Sequence, residues 1–270
     1  MLILYFSGTG NTQYIAELFG QKMGADCHSI EETVDFPALI TTHDTIAICY
    51  PIYGSRVPRI MREFVASHMA ALKDKQLIIF VTQLIFSGDG ARVLCDLFPP
   101  GHAKVIYAEH FFLPNNVCNF ALLRKTSAKN IRRRLKKAEK KLEGICRDIG
   151  AGIVKKRGFS PVAQLLGKVQ GIPWQGNSAN VRPQPGSMDD RASRSVRVDA
   201  DCTRCGICVD ICPMRNLAID NGTLEHKNNC TLCYRCINRC PQRAITVFFH
   251  AKPRWQYGGV GGYLQSVCKK

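Results

Sequence analysis

"YFSGTGNT", Tyr5–Thr12, lies between an apolar run and a helical pattern. Met1–Phe6 reads as a short buried strand, and Asn11–Gln21 as a helix with Ile15, Leu18 and Phe19 on one side. The turn between them offers the hydroxyls of Ser7, Thr9 and Thr12, and Gly8 and Gly10 permit close backbone approach. With Asn11 and the free N–H groups of a helix start, this donor set suits a phosphate monoester. A P-loop would need a lysine that the stretch lacks. A dinucleotide-binding turn would need a third glycine where Gln13 stands.

The pattern continues downstream. "TIAICY" (Thr45–Tyr50), "QLIIFVT" (Gln76–Thr82) and "AKVIYAEH" (Ala103–His110) are apolar runs of the kind found in central parallel strands. Helical patterns at Pro58–Met69 and Gly88–Leu97 lie between them. Strands alternating with helices predict an α/β fold with a doubly wound parallel sheet. Such sheets bind ligands beyond the carboxyl ends of their strands. "YPIYGSRVP" (Tyr50–Pro58) occupies such a place, with Tyr53 able to stack on a planar ring and Pro51 and Gly54 shaping the turn. "TQLIFSGDG" (Thr82–Gly90) follows the next strand and is expected to close the same pocket.

Ser127–Ile149 is the clearest helix, with Ile131, Leu135, Ala138, Leu142, Ile145 and Ile149 forming one stripe. Its other face is almost wholly basic. Residues 1–123 carry 8 Lys/Arg against 11 Asp/Glu, whereas residues 124–168 carry 15 against 3, so this segment supplies most of the net charge of +16. The bland reading is a solvated helix face; the sharper one is a docking surface for an acidic redox protein. No apolar run reaches the length of a membrane span, and no secretion signal heads the chain, so the expectation is a cytoplasmic protein. Nothing points to specific nucleic-acid binding.

Gln175–Ser195 is rich in Gly, Pro, Ser and Asn, and marks a linker between the α/β domain and a cysteine-rich region. In that region, "CTRCGICVDIC" (Cys202–Cys212) and "CTLCYRCINRC" (Cys230–Cys240) repeat one spacing, C-x2-C-x2-C-x3-C, each followed by proline. "SVRV" (Ser195–Val198) and "AITVFF" (Ala244–Phe249) read as strands opening and closing it. Three thiolates two residues apart can wrap one corner of a compact iron–sulfur cluster, with the fourth turned away. In the bacterial ferredoxin pattern that fourth cysteine serves the other cluster. Cys202, Cys205, Cys208 and Cys240 would then hold one [4Fe–4S] cluster, and Cys230, Cys233, Cys236 and Cys212 the other. Zinc sites use paired knuckles separated by a longer loop, and disulfides are rare without secretion. Cys27, Cys49, Cys95, Cys118, Cys146 and Cys268 lack ligand spacing and are expected to pack as small apolar groups.

Together, "SGTGNT", "PIYGSRVP", "FFLPNN" (Phe111–Asn116) and the two cysteine runs resemble a family in which a flavodoxin-like domain is fused to a two-cluster bacterial ferredoxin. These are the EFR-type ferrodoxins, found mainly in anaerobes. The resemblance implies a flavodoxin-like sheet followed by a small α+β ferredoxin domain, with FMN and two [4Fe–4S] clusters as cofactors and electron transfer as the role. It places the FMN phosphate at Ser7–Thr12 and the ring near Pro51, Tyr53 and Gly54. The expected limits are 1–154 for the flavodoxin-like domain, 155–194 for the linker, 195–250 for the ferredoxin domain and 251–270 for the tail. Two alternatives stay open: a reductase with its own small substrate, and an iron–sulfur carrier whose flavodoxin fold is only a docking module.

Overall fold

The computed structural model describes residues 1–54, 56–172 and 180–268, with side chains to residue 265. Six strands form one parallel sheet: β1 (Leu2–Tyr5), β2 (Asp26–Ser29), β3 (Thr45–Pro51), β4 (Gln76–Gln83), β5 (Lys104–Phe112) and β6 (Lys155–Lys156). Their order is β2-β1-β3-β4-β5-β6, so the chain reverses its winding between β1 and β3. This is the doubly wound α/β sheet that the sequence predicts.

Side chains alternate across the sheet, and each face has its own core. Leu2, Leu4, Phe6, Ile46, Ile48, Ile79 and Val81 pack on one side with Ile40 from α2 (Phe36–Thr41) and Met61 from α3 (Arg59–Ser67). Ile3, Tyr5, Ala47, Cys49, Ile78 and Phe80 pack on the other. There they meet Ile15 and Phe19 of α1 (Asn11–Met23) and the apolar stripe of α4 (Ala128–Gly150). The Ser127 side chain caps α4 through the Asn130 N–H at 3.3 Å. Cys27, Cys49 and Cys146 belong to the α1–α4 side and Cys95 to the opposite one, in the expected packing role. Cys268, expected to pack likewise, lies outside the described side chains.

Several boundaries differ from those the sequence predicts. β2 reads "DCHS" and β6 is two lysines, so neither carries an apolar signal; both are edge strands, where burial is slight. Part of the stretch expected to be linker is ordered. It contains β6, α5 (Pro161–Gly171) and α6 (Met188–Ser193), while residues 173–179 of the expected linker lie outside the described residues. The helix expected over Gly88–Leu97 is only a 3₁₀ turn at Arg92–Leu97.

The cysteine-rich region is small and built from two like halves. α7 (Ile207–Asp210) and α8 (Arg235–Arg239) each follow a left-handed residue, Gly206 and Tyr234. A hairpin of β8 (Leu217–Asp220) and β9 (Thr223–His226) separates the halves, and β7 (Arg197–Val198) pairs antiparallel with β10 (Ile245–Thr246). The strand expected to run to Phe249 stops at Thr246 because Phe248 takes a φ of 65° and leaves the pairing direction. The tail ends in α9 (Gly259–Cys268). Among the described residues, no helix is long and apolar enough to cross a membrane.

Leu142 is fully buried in the α4 stripe. Leu142→Ala should cost about 2–5 kcal/mol of unfolding free energy in denaturant titration, and Lys136→Ala on the exposed face less than about 0.5. His110 on β5 is 2% exposed, with Nε2 accepting the Ala91 N–H at 3.3 Å. Burial, then the charges of Arg157 and Lys141, push its pKa down to about 4. The unfolded chain therefore gains a proton near pH 6.5 that the native one refuses until about pH 4. This contribution is complete above pH 6.5 and is lost as pH falls toward 4. His110→Gln should flatten the decline of the denaturation midpoint across that window.

Candidate functional site

The turn after β1 is shaped by Gly10, whose φ of 89° few side chains tolerate. The Gly10 N–H donates to Ser7 Oγ at 3.1 Å, folding the turn on itself. No side chain caps the start of α1, which leaves its first N–H groups for a ligand. The Thr12 and Thr82 hydroxyls share a buried hydrogen bond of 2.7 Å, tying the turn to β4. Thr9 Oγ1 accepts from Asn116 Nδ2 at 3.1 Å, and Asn11 Nδ2 donates to the Pro114 carbonyl at 2.9 Å. The "FFLPNN" stretch thus holds the turn from the side.

Beside this turn opens a cavity of about 290 Å³. Ser7, Gly8, Thr9, Asn11, Thr12, Pro51, Tyr53 and Gly54 all line it. Gly10 does not; it faces a neighbouring cleft shared with the tail. Tyr53 N and O pair with Arg56, and Gly54 takes a φ of 56° in the turn between them. The Tyr53 hydroxyl is buried without a partner among the described residues. Burial, above all, holds its pKa well above the usual phenol value, so it stands as a neutral donor. A hydroxyl-rich turn and an unpaired donor beside a largely apolar hollow fit a phosphorylated, ring-bearing nucleotide.

The third loop closes less of the cavity than its position suggests. Thr82, Gln83 and Leu84 reach the lining, and the rest turns away. Ser87 bonds back to Gln83, and Gly88 packs so tightly on α5 that a Cβ would lie 2.5 Å from the Gly167 nitrogen. The gap is filled by Pro114, Asn116, Val117, Phe120 and Leu123, and by Leu232, Tyr234, Phe248 and Phe249 from the cysteine-rich region.

The eight paired cysteines line two small hollows of equal size, about 20 Å³ each. Cys202, Cys205, Cys208 and Cys240 surround one; Cys212, Cys230, Cys233 and Cys236 surround the other. Each set takes three cysteines from one run and the last from the other. The halves also share a bond: Asn216 N–H donates to Cys212 Sγ at 3.2 Å, and Ala244 N–H to Cys240 Sγ at 3.3 Å. Backbone donors to sulfur suit thiolate ligands and tune iron–sulfur potentials. Among the described residues, no three such groups converge on one point as a single metal ion requires. Thiols spread around a hollow fit a multi-iron cube better than zinc.

One residue fastens the two sites together. Arg235 Nη2 donates to the Ser7 carbonyl at 2.8 Å, Nε to the Gly8 carbonyl at 3.1 Å, and Nη1 to the Ile211 carbonyl at 3.0 Å. Both terminal nitrogens also meet Glu31, at 2.8 and 2.7 Å. The turn lies so close that a Cβ on Gly8 would fall 2.3 Å from the Cys233 carbonyl oxygen. Asn238 Nδ2 donates to the Asn116 carbonyl at 2.9 Å, and Asn119 Nδ2 to the Val247 carbonyl at 2.7 Å. From the tail, Tyr257 N–H donates to Asn238 Oδ1 and its hydroxyl to Asn11 Oδ1, both at 2.7 Å.

Tyr234, Arg235 and Asn238 escape a motif reading because they belong to neither ligand spacing. A signal was present: their counterparts in the first run are Gly206, Ile207 and Asp210, so the repeat diverges where one half meets the sheet.

The fold and both sites define a flavin-type α/β domain joined to an iron–sulfur module. A flavodoxin domain model matches residues 2–136, and a 4Fe-4S dicluster domain model residues 201–245. The chain belongs to the flavodoxin-domain family, as a fusion with a 4Fe-4S dicluster domain. FMN and [4Fe–4S] clusters are the cofactors of that pairing. Among solved structures, a Megasphaera elsdenii flavodoxin is 23% identical, the match covering 41% of this chain and 85% of that one at a TM-score of 0.37. General stress protein 14 of Treponema denticola, solved with FMN, is 13% identical over 54% of this chain and 96% of that one, at 0.41. No curated protein matches.

Arg235→Ala leaves three carbonyls short of a donor. The junction should weaken by about 2–4 kcal/mol, read as faster hydrogen exchange in both Ser7–Thr12 and Cys230–Asn238. Glu31→Gln, half-exposed, should change it by less than about 1 kcal/mol.

Proposed function

We propose that this chain is an electron carrier that passes electrons between FMN and two [4Fe–4S] clusters, and onward to a protein partner. The two working units are residues 1–154, with β6 just beyond, and residues 195–250. Ser7–Thr12 hold the phosphate, and Pro51, Tyr53 and Gly54 border the ring. Cys202, Cys205, Cys208 and Cys240 ligate one cluster; Cys212, Cys230, Cys233 and Cys236 ligate the other. The flavin supplies two-electron chemistry that can also run in single steps, whereas each cluster exchanges one electron.

The observation that carries this reading is a shared wall. Tyr234 lines both the large cavity and the second cysteine hollow. Redox groups seated on either side exchange electrons within one molecule, with no encounter step. Arg235 keeps the wall in place by holding the Ser7 and Gly8 carbonyls.

A carrier is favoured over a reductase with its own substrate by the lining itself. Among the described residues around the large cavity there is no histidine, carboxylate, lysine or arginine, so an acid–base pair for substrate chemistry is missing. The partner is an acidic redox protein, and its docking face is the exposed side of α4, where Arg132, Arg133 and Lys136 face solvent. The setting is the cytoplasm.

Protein prepared without oxygen should contain about one FMN and about eight irons and eight sulfides per chain. Reduction through the clusters should then bleach the flavin. Absence of sulfide, or a flavin left oxidised while the clusters are reduced, contradicts the proposal. Reversing the charges of Arg132, Arg133 and Lys136 should slow transfer to an acidic partner about tenfold or more at low salt and remove most of its salt dependence. Unchanged kinetics would move the docking site elsewhere.

A further inference from the structure

We infer that the flavin site is a two-part pocket whose roof comes from the cluster-binding half. In this arrangement Phe248 and Phe249, backed by Phe120, cover the ring that the third loop leaves bare. The inference rests on the functional reading above and adds to it which residues retain the flavin. It also makes the Cys212, Cys230, Cys233 and Cys236 set the one next to that ring.

Three independent observations carry it. The third loop turns away after Leu84, so the wall on that side is shared between residues 114–123 and the cluster-binding half. From the cluster-binding half, Phe248 and Phe249 reach that side through an unfavourable backbone conformation. Phe248 sits at φ 65°, a region bulky residues avoid. Backbone strain of this kind persists where surrounding bonds enforce it. Here the Phe248 N–H donates to Ser195 Oγ at 3.0 Å, and the neighbouring Val247 carbonyl accepts from Asn119 at 2.7 Å. Finally, Phe249 remains 41% exposed at the cavity while stacking on Phe120, at 4.4 Å between centroids and 26° between planes. An aromatic surface left partly open to an apolar cavity is what a planar ligand would cover.

The adjacency comes from the same wall. Leu232 and Tyr234 line the flavin cavity and flank Cys233 in sequence. Cys233 itself belongs to the apolar core on the sheet's α2–α3 side. No cysteine of either set lines the flavin cavity, but no residue flanking the other set reaches it either, and Cys205 is exposed. That set is therefore the outer one.

The test uses the full-length chain with clusters assembled and flavin removed. FMN and riboflavin are titrated into the parent, Phe249→Ala and Ser7→Ala. If Phe249 covers the ring, Phe249→Ala weakens both ligands by a similar factor of about ten, the size of one lost aromatic contact with its buried area. Ser7→Ala weakens FMN alone, because riboflavin has no phosphate. Iron content and unfolding midpoint of Phe249→Ala without flavin should match the parent, which separates a roof from a merely structural role. Phe249→Leu, which keeps apolar cover, should recover part of the affinity. Affinities of Phe249→Ala within twofold of the parent, or a loss for FMN but not riboflavin, overturn the roof while leaving the carrier reading intact. A parent chain that takes up neither flavin overturns both.

Discussion

The junction depends on one guanidinium. Arg235 directs its donors to the carbonyls of Ser7, Gly8 and Ile211 and to the carboxylate of Glu31. Two of those carbonyls belong to the turn that lines the cavity, and the third to Ile211, which caps α7 just before Cys212. A planar fork can join three backbone groups and a carboxylate in one geometry, which a lysine ammonium could not reproduce. With its outward carbonyls occupied, the turn keeps hydroxyls and N–H groups for an anion, and a fixed positive charge stands behind it. The same contact that joins the halves therefore also shapes the hydroxyl-rich turn that lines the cavity.

Joining has an energetic consequence for the smaller half. A region of some 55 residues has little core, and its apolar cluster is built around the cysteines themselves. Its stability draws on metal ligation and on its contact with the sheet domain. Asn116, Asn119, Asn238 and Tyr257 all bridge the two. Substitutions along this seam should act on flavin retention and on cluster integrity together.

How far the sequence discloses the protein depends on the length scale of each constraint. The two cysteine hollows are legible because each run sets four cysteines within eleven residues. The turn at "SGTGNT" is legible because its glycines and hydroxyls lie within six residues. The central strands and α4 announce themselves by continuous or periodic burial. Legibility fails where burial is slight or the partner is distant: β2 and β6 are polar edges, and the tail finds its place through long-range contacts such as Tyr257 and Gly259 against the first turn. Phe248 and Phe249 look like the end of a strand; only a left-handed backbone at Phe248 reveals their other direction. The third loop misled for a related reason, since its position after β4 is right but Gly88 packs it on α5 instead.

The most direct measurement is a crystal structure of the fully loaded chain grown without oxygen. The account predicts a cluster on Cys212, Cys230, Cys233 and Cys236 separated from the flavin only by the Leu232–Tyr234 wall, with Arg235 on the Ser7 and Gly8 carbonyls. A structure with the Cys202 set nearest the flavin, or with Arg235 released and the halves apart, would contradict it.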